Sequence, residues 1–148
     1  MYNALTIARH IIDYSHEIGC GMTNLKLQKL LYFVQAEFLV STPDHSPCFC
    51  DTIEAWDFGP VVPAVYHHYK VYGSAIIPPR NYAHRSFFDQ PISKEHQGLI
   101  NSIVDRLIGY SAATLVEVTH NQSPWKDAYV RGYNNPISNR AIRVFFED

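Results

Sequence analysis

Residues that could bind a metal ion cluster in one short segment of the chain. His45, Cys48 and Cys50 lie close together, and imidazole and thiolate groups are the ligands that zinc prefers. However, one residue separates the two cysteines, whereas structural zinc sites usually place about two to four residues between paired cysteines. The spacing therefore favours free thiols, at Cys20 as well, and we predict neither a metal site nor a cofactor.

Glu54, Asp57 and His120 are the residues that could act as general acids or bases. The two carboxylates flank Trp56, but carboxylates are common on solvated strand edges. The chain has no G-x-S-x-G nucleophile elbow, and its glycine pair at 19 and 21 follows no strand that could precede a phosphate-binding loop. We therefore predict no catalytic residue, and a small enzyme that uses these three side chains stays an alternative.

Composition favours one ordinary globular domain. The chain has 148 residues, 47% of them hydrophobic and 18% charged, and a chain of this length buries about 68 to 70% of its unfolded surface. A net charge of -2 gives no positive field for phosphate backbones, so we expect no direct nucleic-acid binding. We expect a cytoplasmic protein without a membrane span, because Gln35 and Glu37 interrupt the most apolar stretch and no signal-peptide core is present.

The segment at about 25–40 predicts a helix that is apolar nearly all round. At 100° per residue its apolar side chains form two stripes on opposite faces, and such a helix is normally central to the core. The first stripe is Leu27, Leu30, Leu31, Val34 and Phe38, and the second is Leu25, Tyr32, Phe33, Ala36 and Leu39. The polar ends of Lys26, Gln28, Lys29 and Gln35 therefore need partners, and we expect an internal hydrogen-bond network.

The other predicted elements wrap this helix. Capping residues at Asn3, Ser93, Ser111 and Ser138 predict four helix starts, and Ile142, Phe145 and Phe146 should face inward on the last helix. A further helix should run from Val61 or Pro63 to Tyr72, after Gly59 and Pro60 end a strand-like segment. The expected fold is mainly α: a single-domain helical bundle over 1–148 around the helix at 25–40, with a short two- or three-stranded β element near 49–58 and 74–90.

Three segments of the sequence are similar to the motifs of a known protein family. The run TNLKLQKLLYF at 23–33 is similar to the family's T-N-x-K-L-Q-K-L-L-Y-Y helix, and EAWDFGPVVPAVY at 54–66 is similar to its E-A-W-x-x-G-P-V-x-P-x-V-Y signature. Leu115, the Thr119-His120 pair and the Pro124-Trp125 pair match the family's later L-x-x-x-T-H and P-W patterns. These motifs occur in the family's order over nearly the whole chain, which therefore resembles the Panacea domain family of antitoxins.

The resemblance implies an antitoxin that is associated with phages or mobile elements and neutralises a cognate protein toxin encoded by an adjacent gene. It leaves homo-oligomerisation open. An adaptor that delivers its partner to a protease is an alternative to simple neutralisation.

The motif residues divide into two predicted sets. The 54–66 motif is followed by further family residues at Tyr69, Lys70 and Tyr72. Because Trp and Tyr are enriched at binding hot spots, Trp56, Tyr66, Tyr69 and Tyr72 are predicted to bind the partner, together with the neighbouring Asp57 and Lys70. The predicted structural residues are Lys26, Leu27, Gln28, Lys29, Leu30, Leu31, Tyr32, Gly59, Pro60, Pro63, His120, Pro124 and Trp125.

Overall fold

The central helix predicted from the sequence is the core of the fold in a computed structural model, which describes residues 1–79 and 90–147. This helix, α2, spans Asn24–Ser41 and is capped by the Thr23 hydroxyl, which accepts a hydrogen bond from the Lys26 amide. Both predicted stripes pack against neighbouring elements, except that Leu25 in the first turn is 36% exposed. The all-round apolar pattern therefore identified the central helix correctly.

Four helices that begin at predicted caps pack around α2. They are α1 (Ala4–Glu17), α4 (Lys94–Leu107), α5 (Ala112–His120) and α7 (Asn139–Phe146). Each begins at the predicted cap, whose side-chain oxygen accepts a backbone N–H from the first turn: Asn3, Ser93, Ser111 and Ser138. Each cap satisfies one of the amides that a helix start leaves without an intrahelical partner.

A three-stranded antiparallel sheet lies beside the helices, in the order β2-β1-β3. Strand β1 is Ile53–Trp56, β2 is Gly59–Val61 and β3 is Asn135–Ile137. The predicted strand within 49–58 is therefore confirmed, but its partners come from elsewhere than 74–79. In that segment Ile76 forms an isolated bridge with Thr23, and positions 80–89 lie outside the described residues.

Gly59 and Pro60 begin a strand, which corrects the prediction that they end one. Strands β1 and β2 form a hairpin in which Trp56 pairs with Gly59. A proline is tolerated in β2 because β2 is an edge strand of the sheet. Pro63 then opens α3 (Pro63–Tyr69), and a short 3-10 helix (Lys70–Tyr72) leads to Gly73 at φ +57°, close to the predicted end.

The C-terminal part of the described chain contains α6 (Ser123–Ala128), β3 and α7. In α7, Ile142 is buried and Phe146 packs edge-on against Tyr32 and Phe33. The prediction that Phe145 also faces inward is wrong, since it is 37% exposed. Successive helical residues point about 100° apart, and α7 turns Ile142 and Phe146 toward α2 while Phe145 lies at the edge of that face. None of the helices within the described residues combines the length and the hydropathy that a membrane span requires.

Candidate functional site

Two buried polar side chains of α2 hold the β1–β2 hairpin in place. The Lys29 ammonium nitrogen donates to the carbonyl oxygen of Pro60 at 2.8 Å. The Gln28 side-chain oxygen accepts the backbone N–H of Val62 at 2.9 Å. Because all of these groups are buried, the bonds also satisfy main-chain atoms that water does not reach.

Lys29 lies in an unusual environment for a lysine. Its side chain is fully buried, and burial lowers its pKa to about 7. Gly59 packs directly on it: a Cβ atom added at Gly59 would lie 2.8 Å from both Lys29 Cε and Thr119 Oγ1. Gly59 also has φ +102°, a backbone conformation that favours glycine. The start of β2 therefore depends on a close contact between a glycine and a buried amine.

Other polar side chains of α2 bind neighbouring segments in the same way. Lys26 Nζ donates to the carbonyl of Ile108, and Tyr32 donates its hydroxyl to Gln122 at 2.7 Å. Gln35 donates to the carbonyl of Phe49 at 2.9 Å and accepts the amide of Cys48 at 2.8 Å. Gln28 donates to Asn24, which in turn donates to the carbonyl of Tyr66. These contacts agree with the internal network expected from the sequence.

Aromatic residues at the end of α5 and in and just after α6 hold the turn of the hairpin. The Trp125 ring stacks between those of His120 and Tyr129, with centroid distances of 4.1 and 4.4 Å. Trp125 Nε1 donates to the carbonyl of Trp56 at 2.8 Å, and His120 Nε2 donates to the carbonyl of Asp57 at 2.9 Å. The hairpin turn is thus bound through its main chain.

The acidic side chains of the hairpin are oriented by neutral donors. The Tyr129 hydroxyl donates to Asp57 Oδ1 at 2.5 Å, and this bond to a carboxylate raises the pKa of Tyr129. The indole Nε1 of Trp56 donates to Glu54 Oε1 at 2.9 Å. His120 Nε2 and one oxygen of each carboxylate are therefore engaged in contacts that orient the turn.

A cleft of about 350 Å³ opens between the hairpin turn and the loop before β3. Its lining consists of Trp56, Asp57, Phe58, Val61, Tyr66, Gly132, Tyr133 and Asn134. The Trp56 and Tyr66 rings meet edge to face at 5.0 Å. Phe58 is 65% exposed and Tyr133 is 66% exposed. Large aromatic side chains that project into solvent beside a concave surface are typical of protein-binding sites.

The structure separates the residues predicted to bind a partner into three groups. Trp56, Asp57 and Tyr66 line this cleft together. Tyr69 is only 6% exposed and belongs to the core. Lys70 and Tyr72 are exposed on the 3-10 helix, where Tyr72 lines a different cleft of about 190 Å³.

Sequence reasoning missed three aromatic residues at this site, Phe58, Tyr129 and Tyr133. Phe58 carries a local signal, because a large apolar residue between Asp57 and Gly59 interrupts a turn that would otherwise be polar. Tyr129 and Tyr133 carry none, since they are distant in sequence from the hairpin and reach it only in the folded structure.

The cysteines agree with the prediction of free thiols. Cys20, Cys48 and Cys50 form no disulfide, and burial raises the pKa of the Cys48 thiol. Within residues 1–79 and 90–147, no group of three His, Cys, Asp or Glu side chains is arranged to hold a metal ion.

Residues 27–126 match the model of a protein family described as "Antitoxin SocA-like, Panacea domain". The chain belongs to the SocA-like Panacea family. It is also 32% identical to Antitoxin SocA of Caulobacter vibrioides (strain NA1000 / CB15N) over 142 residues, which cover 83% of this chain and 68% of that protein. No solved structure matches the chain. The Panacea match includes the hairpin, α5 and Trp125, whereas Tyr129 and Tyr133 lie beyond it.

Proposed function

We propose that this protein is an antitoxin that neutralises a cognate protein toxin by binding it directly. Membership of the SocA-like Panacea family is the observation that carries the proposal. The toxin is expected to be the product of an adjacent gene. Neutralisation by binding requires a complex that dissociates more slowly than the free toxin reaches its target. This implies a dissociation constant of about 1 nM or lower and roughly 1,600 Å² of interface.

The cleft at the hairpin turn is our proposed centre of that interface. Phe58 and Tyr133 stand on its two sides and are mostly exposed. The turn beneath them is fixed by Lys29, Trp125 and His120, so little conformational entropy is lost when a partner docks. Rigid aromatic anchors around a preformed depression are the arrangement that gives binding hot spots.

Co-expression with the neighbouring open reading frame tests the proposed function. Induction of that gene alone should arrest growth, and this protein should restore growth when present in at least equal amounts. The toxin's half-life should be unchanged, because binding alone is sufficient. The proposal is contradicted if the product of the neighbouring gene is harmless, or if it stays toxic beside this protein. If the toxin's half-life is shortened and the shortening depends on a housekeeping protease, the protein delivers the toxin to that protease and does not simply neutralise it.

A further inference from the structure

The lining of the hairpin cleft combines aromatic rings with a single charged group. Trp56, Phe58, Tyr66 and Tyr133 supply the rings, and Asp57 is the one ionisable carboxylate among the lining residues, none of which is basic. Aromatic faces attract cations through the ring quadrupole, and Trp and Tyr do so most strongly. The surroundings therefore favour a positively charged occupant over a neutral or acidic one.

Asp57 has hydrogen-bonding capacity left for that occupant. Its Oδ1 accepts the Tyr129 hydroxyl, which fixes the position of the carboxylate. No cation forms an ion pair with Asp57 in the part of the chain that the structure describes, although Arg131 lies near enough to Tyr129 to lower the pKa of its hydroxyl. An ionised carboxylate has two oxygens and about four lone-pair sites, so a fork of N–H donors can still bind it.

The shape of the cleft distinguishes between possible cations. A volume of about 350 Å³ is near the lower end for small-ligand pockets, so it suits one long side chain better than a cofactor. A guanidinium group is planar, stacks on aromatic rings and presents paired donors to a carboxylate, whereas an ammonium group is a compact, strongly hydrated point charge. Both features of arginine have a counterpart in the lining, the rings and the oriented Asp57.

We infer that the cleft binds an arginine side chain of the partner protein, with the guanidinium stacked on the aromatic rings and hydrogen-bonded to Asp57. This inference rests on the proposed function, since it names the chemistry by which the toxin would be recognised. Arginine is itself enriched at interface hot spots, often beside aromatic residues. Glu54, by accepting the Trp56 indole N–H, positions the ring on which the guanidinium stacks.

A titration of the purified protein with small probes tests this recognition without the toxin. N-acetyl-arginine N-methylamide is the probe, and the matching citrulline compound is an uncharged analogue of nearly the same shape. Two-dimensional NMR should show saturable shifts of the Trp56 indole N–H and the Gly132 and Asn134 amides, with a dissociation constant on the order of 1 to 10 mM for arginine. Citrulline and the lysine analogue should bind about tenfold more weakly.

Two variants connect the shifts to the cleft. Asp57→Asn keeps an oxygen that can accept from Tyr129 but removes the charge, so arginine binding should weaken about tenfold while citrulline binding stays the same. Tyr133→Ala removes a ring on the opposite wall and leaves the Asp57 contacts intact, so it should also weaken arginine binding. Equal binding of arginine and citrulline, tighter binding of the leucine analogue, or no shift at all would overturn the inference. Because this titration contains no toxin, its failure would leave the co-expression result standing.

Discussion

Lys29 places an amine in the interior of the protein with a backbone carbonyl as its hydrogen-bond partner. Burial lowers its pKa from 10.5 to about 7, so the folded protein binds this proton less tightly than the unfolded chain. Between these two pKa values the unfolded state holds more protons, and stability therefore rises with pH. The destabilisation that buried Lys29 causes is at its largest below about pH 7 and disappears as the pH approaches 10.5.

Lys29→Met isolates this contribution, because methionine has similar length and no charge. The free energy of unfolding of the natural protein, minus that of the variant, should rise by roughly 3 kcal/mol between pH 7 and pH 9.5. The lost hydrogen bond to Pro60 shifts the difference by the same amount at every pH, and other titrating groups are common to both proteins. Urea unfolding at several pH values measures it, and a difference that stays constant with pH would contradict the low pKa of Lys29.

Gly59 is the second residue whose local contacts give a testable prediction. Gly59→Ala combines a positive φ with contacts of 2.8 Å to Lys29 and Thr119, so we expect a loss of about 2 to 4 kcal/mol in unfolding free energy. Gly19→Ala is the matched control: it has φ +79° and nothing within 4 Å of the added Cβ, so about 1 kcal/mol is expected. Equal losses in the two variants would show that the close approach of Lys29 and Thr119 contributes nothing.

At the scale of elements, α2 both fills the core and satisfies the main chain of its neighbours. Its apolar periodicity was sufficient to predict that it is central, because a pattern at 100° per residue is local information. Its polar residues were predicted to need partners, yet the partners themselves, such as Pro60 and Ile108, follow only from the tertiary structure. The strand β3 could not be predicted, since a three-residue segment containing Pro136 has no periodicity and pairs with Ile53–Trp56 across a long stretch of sequence.

The bond from Gln28 to Val62 provides a test of α2 as the support of the hairpin. Gln28→Leu leaves the buried Val62 N–H without an acceptor, which should cost about 1 to 3 kcal/mol. The Val62 amide should also exchange its hydrogen faster with solvent, because the hairpin end is less firmly held. Leu25→Ala, at an exposed position of the same helix, is the control and should leave that exchange rate unchanged. Unaltered exchange in Gln28→Leu would show that α2 does not fix this end of the hairpin.

At the scale of the whole molecule, the candidate site joins two parts of the chain that are far apart in sequence. The motif at 54–66 supplies Trp56, Asp57 and Tyr66, which the sequence predicted as binding residues. Tyr133 and the rest of the opposite wall come from the loop before β3, and the stacked rings of Trp125 and Tyr129 support the turn between them. Motif recognition could therefore predict one wall of the cleft, whereas the other wall depends on how the sheet closes.

The most direct test of the proposed interface is the dissociation constant of the purified complex with the proposed toxin, the product of the adjacent gene. A double variant, Phe58→Ala with Tyr133→Ala, should weaken binding at least about 100-fold. Tyr110→Ala is the control, since Tyr110 is an exposed aromatic residue (52%) just before the N-terminus of α5, whereas the C-terminal end of α5 contacts the hairpin turn. This control should change binding less than about threefold. If the double variant, with its unfolding curve preserved, binds as tightly as the natural protein, the hairpin cleft is not where the toxin is held.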